Sequence, residues 1–211
     1  MERALVLGRA TSGIRVVAIV LGALLVAAAA QVSIPLPGTP VPMTLQPMAV
    51  LLIGGLLGAR LGALSMILYL AMGAAGLPVF TPTVPLLGFA RLLGPTGGYL
   101  LAYPVAAWVV GTFVGALSDG RALRGRARLE SAPLQGAPHA EPGLSARVTL
   151  AVLAGLVLIH LGGLAQLAIL TGNLSAAARF GTLPFLLGDL LKIAVLVPIL
   201  TRFTPTIRAR L

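Results

Sequence analysis

Six runs of almost pure hydrocarbon, set apart by short polar or proline-rich connections, constrain this chain more than any other feature. They cover residues 14–34, 44–59, 61–77, 96–117, 147–171 and 183–203. Crossing the hydrocarbon of a bilayer takes about 20 apolar residues, so each run is a candidate transmembrane helix. The second is the shortest, and only Arg60 and the glycines of GARLGA part it from the third. A single hairpin dipping into the bilayer is the alternative there, and it would change the topology. Composition agrees with the membrane reading: 58% of residues are hydrophobic and 9% charged, where an ordinary soluble domain carries about 25% charged residues. Too few charges are present to cover a water-facing surface. The first run could imitate a secretory signal, but it leads straight into a proline-rich segment and further spans, so it reads as a retained helix. The expectation is an all-α integral membrane protein, a six-transmembrane-helix bundle forming one membrane domain over residues 1–211.

Basic residues give the orientation, because Lys and Arg accumulate on the cytoplasmic side. With six helices and cytoplasmic N- and C-termini, the inner segments hold Arg3, Arg9, Arg15, Arg60, Arg121, Arg124, Arg126, Arg128, Arg147, Arg202, Arg208 and Arg210, twelve in all. The outer segments hold two, Arg91 and Arg179, and Lys192 lies within a run. The connection over residues 118–146 is polar, with Pro and Gly and no apolar periodicity, and reads as a flexible cytoplasmic loop. Its arginines hold topology and touch anionic membrane lipid; a docking site for a cytoplasmic partner is the sharper alternative. His139 within it reads as solvated.

Several function classes fall away. The net charge of +10 is scattered between apolar runs and not gathered on a face with aromatics, which argues against nucleic acid as a partner. The absence of Cys excludes disulfides, thiolate nucleophiles and Cys-ligated metals. No HExxH, GxSxG, Walker A loop, paired-carboxylate or multi-His set occurs. The chain therefore reads as neither an enzyme nor a metal or cofactor protein, and it shows no energy source of its own.

Two connections differ in kind from the rest. Residues 33–46, SIPLPGTPVPMTLQ, carry Pro35, Pro37, Pro40 and Pro42, with Pro47 just beyond. Residues 76–98 contain GLPVFTPTVPLLGFARLLGPTGG. Proline withholds a backbone donor and biases its predecessor to extended geometry, so neither stretch continues a helix. Both are nevertheless strongly apolar, as irregular backbone near a membrane is where it packs on protein or lines a cavity. A rigid lid over a pocket is favoured over plain capping of the bundle.

The last run, LLGDLLKIAVLVP, places Asp189 and Lys192 at i and i+3, on one helix face. Charges within a span face a bundle interior and mark a substrate or ion path; a mutually neutralising pair that only joins helices is the bland alternative. At 1.5 Å per residue from an entry near Leu183, Asp189 sits about 9 Å and Lys192 about 14 Å deep. That is the outer half of the membrane, beneath both proline-rich loops. An acceptor beside a donor suits a small polar ligand carrying both N–H and carbonyl groups. Arg91 is a candidate anion partner or a rim charge, and Thr44, Gln46 and Tyr99 complete the candidate ligand-binding set. Tyr69, Tyr103 and Trp108 are pocket walls or packing residues. A lone membrane histidine such as His160 is more often hydrogen-bonded between helices than a ligand or proton relay, and Gln166 and Asn173 either face the cavity or join helices. Small residues four apart recur at Ala23 with Ala27, Gly54 with Gly58 and Gly62, and Gly111 with Gly115, and they permit close helix approach.

The stretches IPLPGTPVPMTLQ, ILYLAMGAAGLPVF, LLGPTGGYLLAYP and GDLLK, in this order and separation, resemble the BioY family over residues 14–205. These are the biotin-specific substrate-binding subunits, or S components, of energy-coupling factor (ECF) vitamin transporters. The resemblance implies a six-helix domain that captures biotin from outside a bacterial or archaeal cytoplasmic membrane, with a transmembrane coupling subunit and two cytoplasmic ATPases supplying energy. It implies that Asp189 and Lys192 bind the ligand near the ureido ring, and that the first loop, with Pro35, Pro40 and Pro42, is the lid. It also implies that small residues of the first helix such as Ala23 and Ala27 dock the coupling subunit. The segment TPTVPLLGFARLL departs from the Gly-rich stretch usual in relatives. The alternative from a different class is a solitary secondary transporter in which Asp189 and Lys192 couple protons to a small molecule, although no inverted repeat supports it.

Overall fold

A computed structural model gives the fold and describes residues 12–131, 144–208 and 211. The chain runs α1 (Ser12–Gln31), β1 (Ser33–Ile34), β2 (Met43–Thr44), α2 (Gln46–Leu57), α3 (Ala59–Ala74), α4 (Ala90–Leu93), α5 (Gly97–Ser131), α6 (Leu144–Thr171), α7 (Leu174–Gly181), a 3-10 turn (Leu183–Phe185) and α8 (Leu186–Arg208). Every expected apolar run forms a helix, but they are not six equal crossings. The stretches Ser12–Gln31, Gly97–Gly115, Leu144–Thr171 and Leu174–Arg208 are long and apolar enough to cross a membrane. The helices α2 and α3, of 12 and 16 residues, rise only about 18 and 24 Å against a hydrocarbon core of about 30 Å.

Two short helices fit because the turn between them is a single residue. Gly58, at φ +90°, ends α2 by donating its N–H to the Gly54 carbonyl at 3.0 Å, and α3 begins at the next residue. That backbone conformation is one L side chains rarely adopt. The turn nests on α5, where an added Cβ at Gly111 would strike the backbone of Gly58 and Ala59. At the same end Arg208 of α8 donates from Nε (3.2 Å) and Nη2 (2.9 Å) to the Gly55 carbonyl, and from Nη2 to the Gly111 carbonyl at 2.7 Å. One guanidinium thus gathers α2, α5 and α8, satisfying a carbonyl that the end of α2 would leave bare.

Small residues decide the packing. Without a hydrophobic drive to separate core from lipid, close backbone approach and van der Waals contact hold transmembrane helices together. The α5–α6 contact is the most extensive in the molecule. It closes on Gly98 and Gly162, where a Cβ on either would run into the other's carbonyl. Gly54 likewise lies on the backbone of Ala107, and Gly62 on Gly54. The glycines at four-residue spacing therefore serve internal packing.

Two expectations need correction. Ala23 and Ala27 are 0% and 9% exposed and lie on the inward stripe of α1 with Gly22, Val26 and Ala30, against α2 and α3. The outward face carries Val16, Val17, Val20 and Leu24. Beside them Gly22 meets Ser65 of α3 and Ile53 of α2, so the exposed face of α1 does not include Ala23 and Ala27. Second, α5 continues through Ser131 into the connection expected to be a loop over residues 118–146. The stretch is polar, but its Ala, Leu, Arg and Glu residues are good helix formers, and polarity is not a helix-breaking signal. Residues 132–143, including His139, lie outside the described residues.

The first proline-rich loop is a small antiparallel ribbon, with Ser33 opposite Thr44 and Ile34 opposite Met43. Its tip turns at Gly38, with φ +79°. The tip is tied down by Thr39, whose hydroxyl accepts from the Val41 N–H at 3.1 Å and donates to the Phe180 carbonyl of α7 at 2.6 Å. Asn173 caps α7, its Oδ1 accepting from the Ala176 N–H at 3.1 Å.

Candidate functional site

Beneath the ribbon lies an open-mouthed cavity, with about 590 Å³ of empty space that includes its opening to solvent. The ribbon contributes Val41 and Pro42 to it, α2 Gln46 and Pro47, and the second loop Phe80, Thr81 and Arg91. From α5 come Tyr99, Leu100 and Tyr103, from α6 Leu156, Ile159 and His160, and from α8 Asp189 and Lys192. The wall is mainly apolar and aromatic, and its polar groups fall into three clusters of different standing.

The first cluster is charged. Asp189 and Lys192 are 6% and 7% exposed, and Lys192 Nζ donates to Asp189 Oδ1 at 2.8 Å. Asp189 stands in the first turn of α8, where the helix dipole favours an anion. Its other oxygen, Oδ2, lies 2.6 Å from His160 Nε2 of α6. A carboxylate only accepts hydrogen bonds, so the proton between them sits on Nε2. The His160 ring packs against Tyr99 and Phe185, with centroids 6.2 and 6.3 Å apart. His160 is thus hydrogen-bonded between helices, as a membrane histidine commonly is, and its partner is the carboxylate of the charged pair. Sequence spacing held no sign of that contact, because it depends on how α6 and α8 pack.

The second cluster is Arg91, 1% exposed. Its Nη1 donates to the carbonyls of Val84 (2.5 Å) and Leu86 (3.2 Å), and its Nη2 to that of Thr81 (2.5 Å). These groups belong to the loop itself, so Arg91 braces the second loop from within. Nε alone has no protein partner. Burial lowers the guanidinium from its ordinary value and still leaves it a cation. Gln166 of α6 seats the short helix that carries Arg91 by donating from Nε2 to the carbonyls of Leu92 (3.0 Å) and Gly94 (2.7 Å). Gln166 therefore joins helices, and it is not among the described residues that line the cavity.

The third cluster roots the ribbon. Thr44 Oγ1 donates to Gln46 Oε1 at 3.2 Å, Gln46 Nε2 donates to the Tyr69 hydroxyl at 2.5 Å, and that hydroxyl donates to the Val79 carbonyl at 3.2 Å. Gln46 is 4% exposed, and both ends of its amide are engaged. Thr44 and Gln46 line the cavity but serve first as the joint between ribbon, α3 and second loop. Tyr99 is wall: its hydroxyl donates to the Gly181 carbonyl, and its ring fills the notch over Gly163. Trp108 is half exposed on the outside of the bundle. Of the prolines expected in a lid, Pro42 lines the cavity, while Pro35 and Pro40 are exposed. Tyr103, read as a pocket wall or a packing residue, is wall, while Thr96, Phe80 and Phe185 are wall residues that sequence reading did not place, since a residue of an apolar run carries no mark of the face it takes.

Comparison with known proteins gives one consistent answer. The family model of the BioY family matches residues 5–209. A probable biotin transporter BioY of Pyrococcus horikoshii is 37% identical over 173 residues, 82% of this chain and 85% of the relative. A biotin transporter BioY of Rhizobium etli is 32% identical over 160 residues, 74% of each chain. Among solved structures, the S component for biotin from an ECF-type ABC transporter superposes with a TM-score of 0.71 over 92% of this chain and 94% of the other, at 24% identity. That last likeness bears on the fold. With the apolar helices already described, the chain is a multi-pass membrane protein.

Proposed function

The chain belongs to the BioY family, and from that premise we propose that it captures biotin in the cavity beneath the proline-rich ribbon. It does so as the substrate-binding subunit of an ECF-type transporter. The observation that carries this reading is the Asp189–Lys192 pair, 2.8 Å apart and buried in the wall of a largely apolar cavity. A buried ion pair adds little stability compared with apolar packing, so its retention here points to a ligand. The ureido ring of biotin carries N–H groups for Asp189 and a carbonyl oxygen for Lys192, and the apolar wall suits its thioether ring and aliphatic chain. Thr44, Gln46 and Tyr99 shape that wall. The ribbon over residues 35–42 is the lid, and Arg91 holds the second loop that faces it.

The fuller assembly follows the same reading. Helices α1, α2, α3, α5, α6 and α8 form the six-helix bundle, α2 and α3 being short where the cavity takes up the outer membrane thickness. The 12 to 2 division of arginines supports cytoplasmic termini and an outward cavity. The chain lacks a nucleotide-binding motif, so a transmembrane coupling subunit and two cytoplasmic ATPases would drive uptake. Their contact lies on surfaces other than Ala23 and Ala27. The test is calorimetric titration of the purified protein with biotin, riboflavin and thiamine. Tight, selective binding of biotin that is lost in Asp189→Ala and Lys192→Ala is expected; unchanged binding in both variants would remove the pair from the site.

A further inference from the structure

Asp189 meets a donor on each oxygen before any ligand arrives, Lys192 on Oδ1 at 2.8 Å and His160 on Oδ2 at 2.6 Å. The two donors are not equivalent. Lys192 stands on a flexible stem with two further N–H groups, so it can turn toward a ligand and still face Asp189. His160 comes from a different helix, its ring is held between Tyr99 and Phe185, and its Nδ1 is buried with no partner. Among the described residues, the bond to Oδ2 is therefore the only polar anchor of that ring, and the least free to move.

That asymmetry sets what Asp189 can recognise. A carboxylate with both oxygens open grips a guanidinium or amidinium fork through two parallel hydrogen bonds. One whose Oδ2 already accepts from a fixed imidazole keeps a single further lone pair there, so its freer acceptor is Oδ1, beside the Lys192 ammonium. One acceptor beside one donor complements an N–H next to a C=O, the edge of a urea, and mismatches an edge made of two donors. We propose that His160 is a specificity-determining positioning residue: by occupying Asp189 Oδ2 it makes the cavity select a urea edge and reject a cyclic guanidine of the same shape. The inference rests on the biotin reading above and adds to it a reason for the histidine.

The test uses the full chain in detergent, titrated with biotin and with 2-iminobiotin, the cyclic-guanidine analogue in which only the ureido oxygen is replaced. The readout is the ratio of the two dissociation constants. In His160→Phe the preference for biotin should fall at least about tenfold, the worth of one charge-assisted hydrogen bond. His160→Gln, whose amide nitrogen reaches the position of Nε2, should keep the preference. His160→Asn, one carbon shorter, should lose it. The Gln and Asn pair decides the matter where His160→Phe does not fold. An unchanged ratio in His160→Asn, or an equal loss in His160→Gln, overturns the proposal. Failure of the unaltered protein to bind biotin overturns the reading beneath it, which is a distinct result.

Discussion

The Thr39 hydroxyl donates a 2.6 Å hydrogen bond to the carbonyl of Phe180, joining the tip of the first loop to α7 across 141 residues of sequence. Nearby, the Met43 sulfur lies over Gly188, 3.1 Å from where a Cβ would stand. The ribbon is thus seated on the segment that leads directly into Asp189. Removing the hydroxyl should loosen the seat without touching the cavity. In Thr39→Val, biotin should dissociate about two- to tenfold faster, the worth of one partly exposed hydrogen bond, while Thr39→Ser stays near the original rate. A chase of bound radiolabelled biotin measures it, and equal rates in all three proteins would show that the bond does not hold the lid.

The charged pair should behave differently in stability and in binding. Removing Asp189 leaves Lys192 buried and uncompensated, at a cost of about 3–5 kcal/mol, and removing Lys192 leaves Asp189 only its His160 partner, whereas replacing both with apolar residues is often neutral. Thermal unfolding in detergent should place Asp189→Leu and Lys192→Met below the parent protein. The double variant should lie above either single one, and none of the three should bind biotin. A double variant as unstable as the sum of the singles would contradict the pairing.

Arg91 should matter through its shape as much as its charge. Its fork reaches three carbonyls of one loop, which an ammonium cannot reproduce. Arg91→Lys should speed amide hydrogen exchange over residues 81–86 by about an order of magnitude and weaken biotin binding, with exchange in α5 and α6 unchanged. Equal exchange in that loop would show that the fork does not brace it.

The glycine seam between α5 and α6 should tolerate no side chain. In Gly98→Ala the new methyl would come within 2.8 Å of the Gln166 Cβ. Overpacking of this kind costs about 1–3 kcal/mol, so the thermal midpoint should fall. Gly13→Ala, with nothing within 4 Å, should leave it unchanged or slightly higher, as a helical Gly to Ala change does. Similar midpoints for the two would discount the seam.

Much of the fold was legible along the chain because hydropathy and proline act locally. Leu183 to Phe203 had to be helical, Pro35 to Pro42 could not be, and Asp189 and Lys192 had to share a face because three residues separate them. The end of α5 was misjudged because the polarity of residues 118–131 says where a helix meets water, not where it stops. Ala23 and Ala27 differ from expectation for a related reason: a small residue marks close approach, but the spacing alone does not say whether the neighbour is another subunit or, as here, the chain's own helices.

What the sequence determined by itself was the all-helical, multi-pass membrane character, the proline-rich segments and the paired charges, along with the motifs that identify the family. The tertiary structure alone decided that His160 meets Asp189, that Arg91 turns back on its own loop, and that Gln46, on the cavity wall, binds Tyr69. In a protein whose core and surroundings are both apolar, hydrophobicity does not say which face of a helix turns inward. Partners 29 or 23 residues apart are set only when small residues let the helices close upon one another.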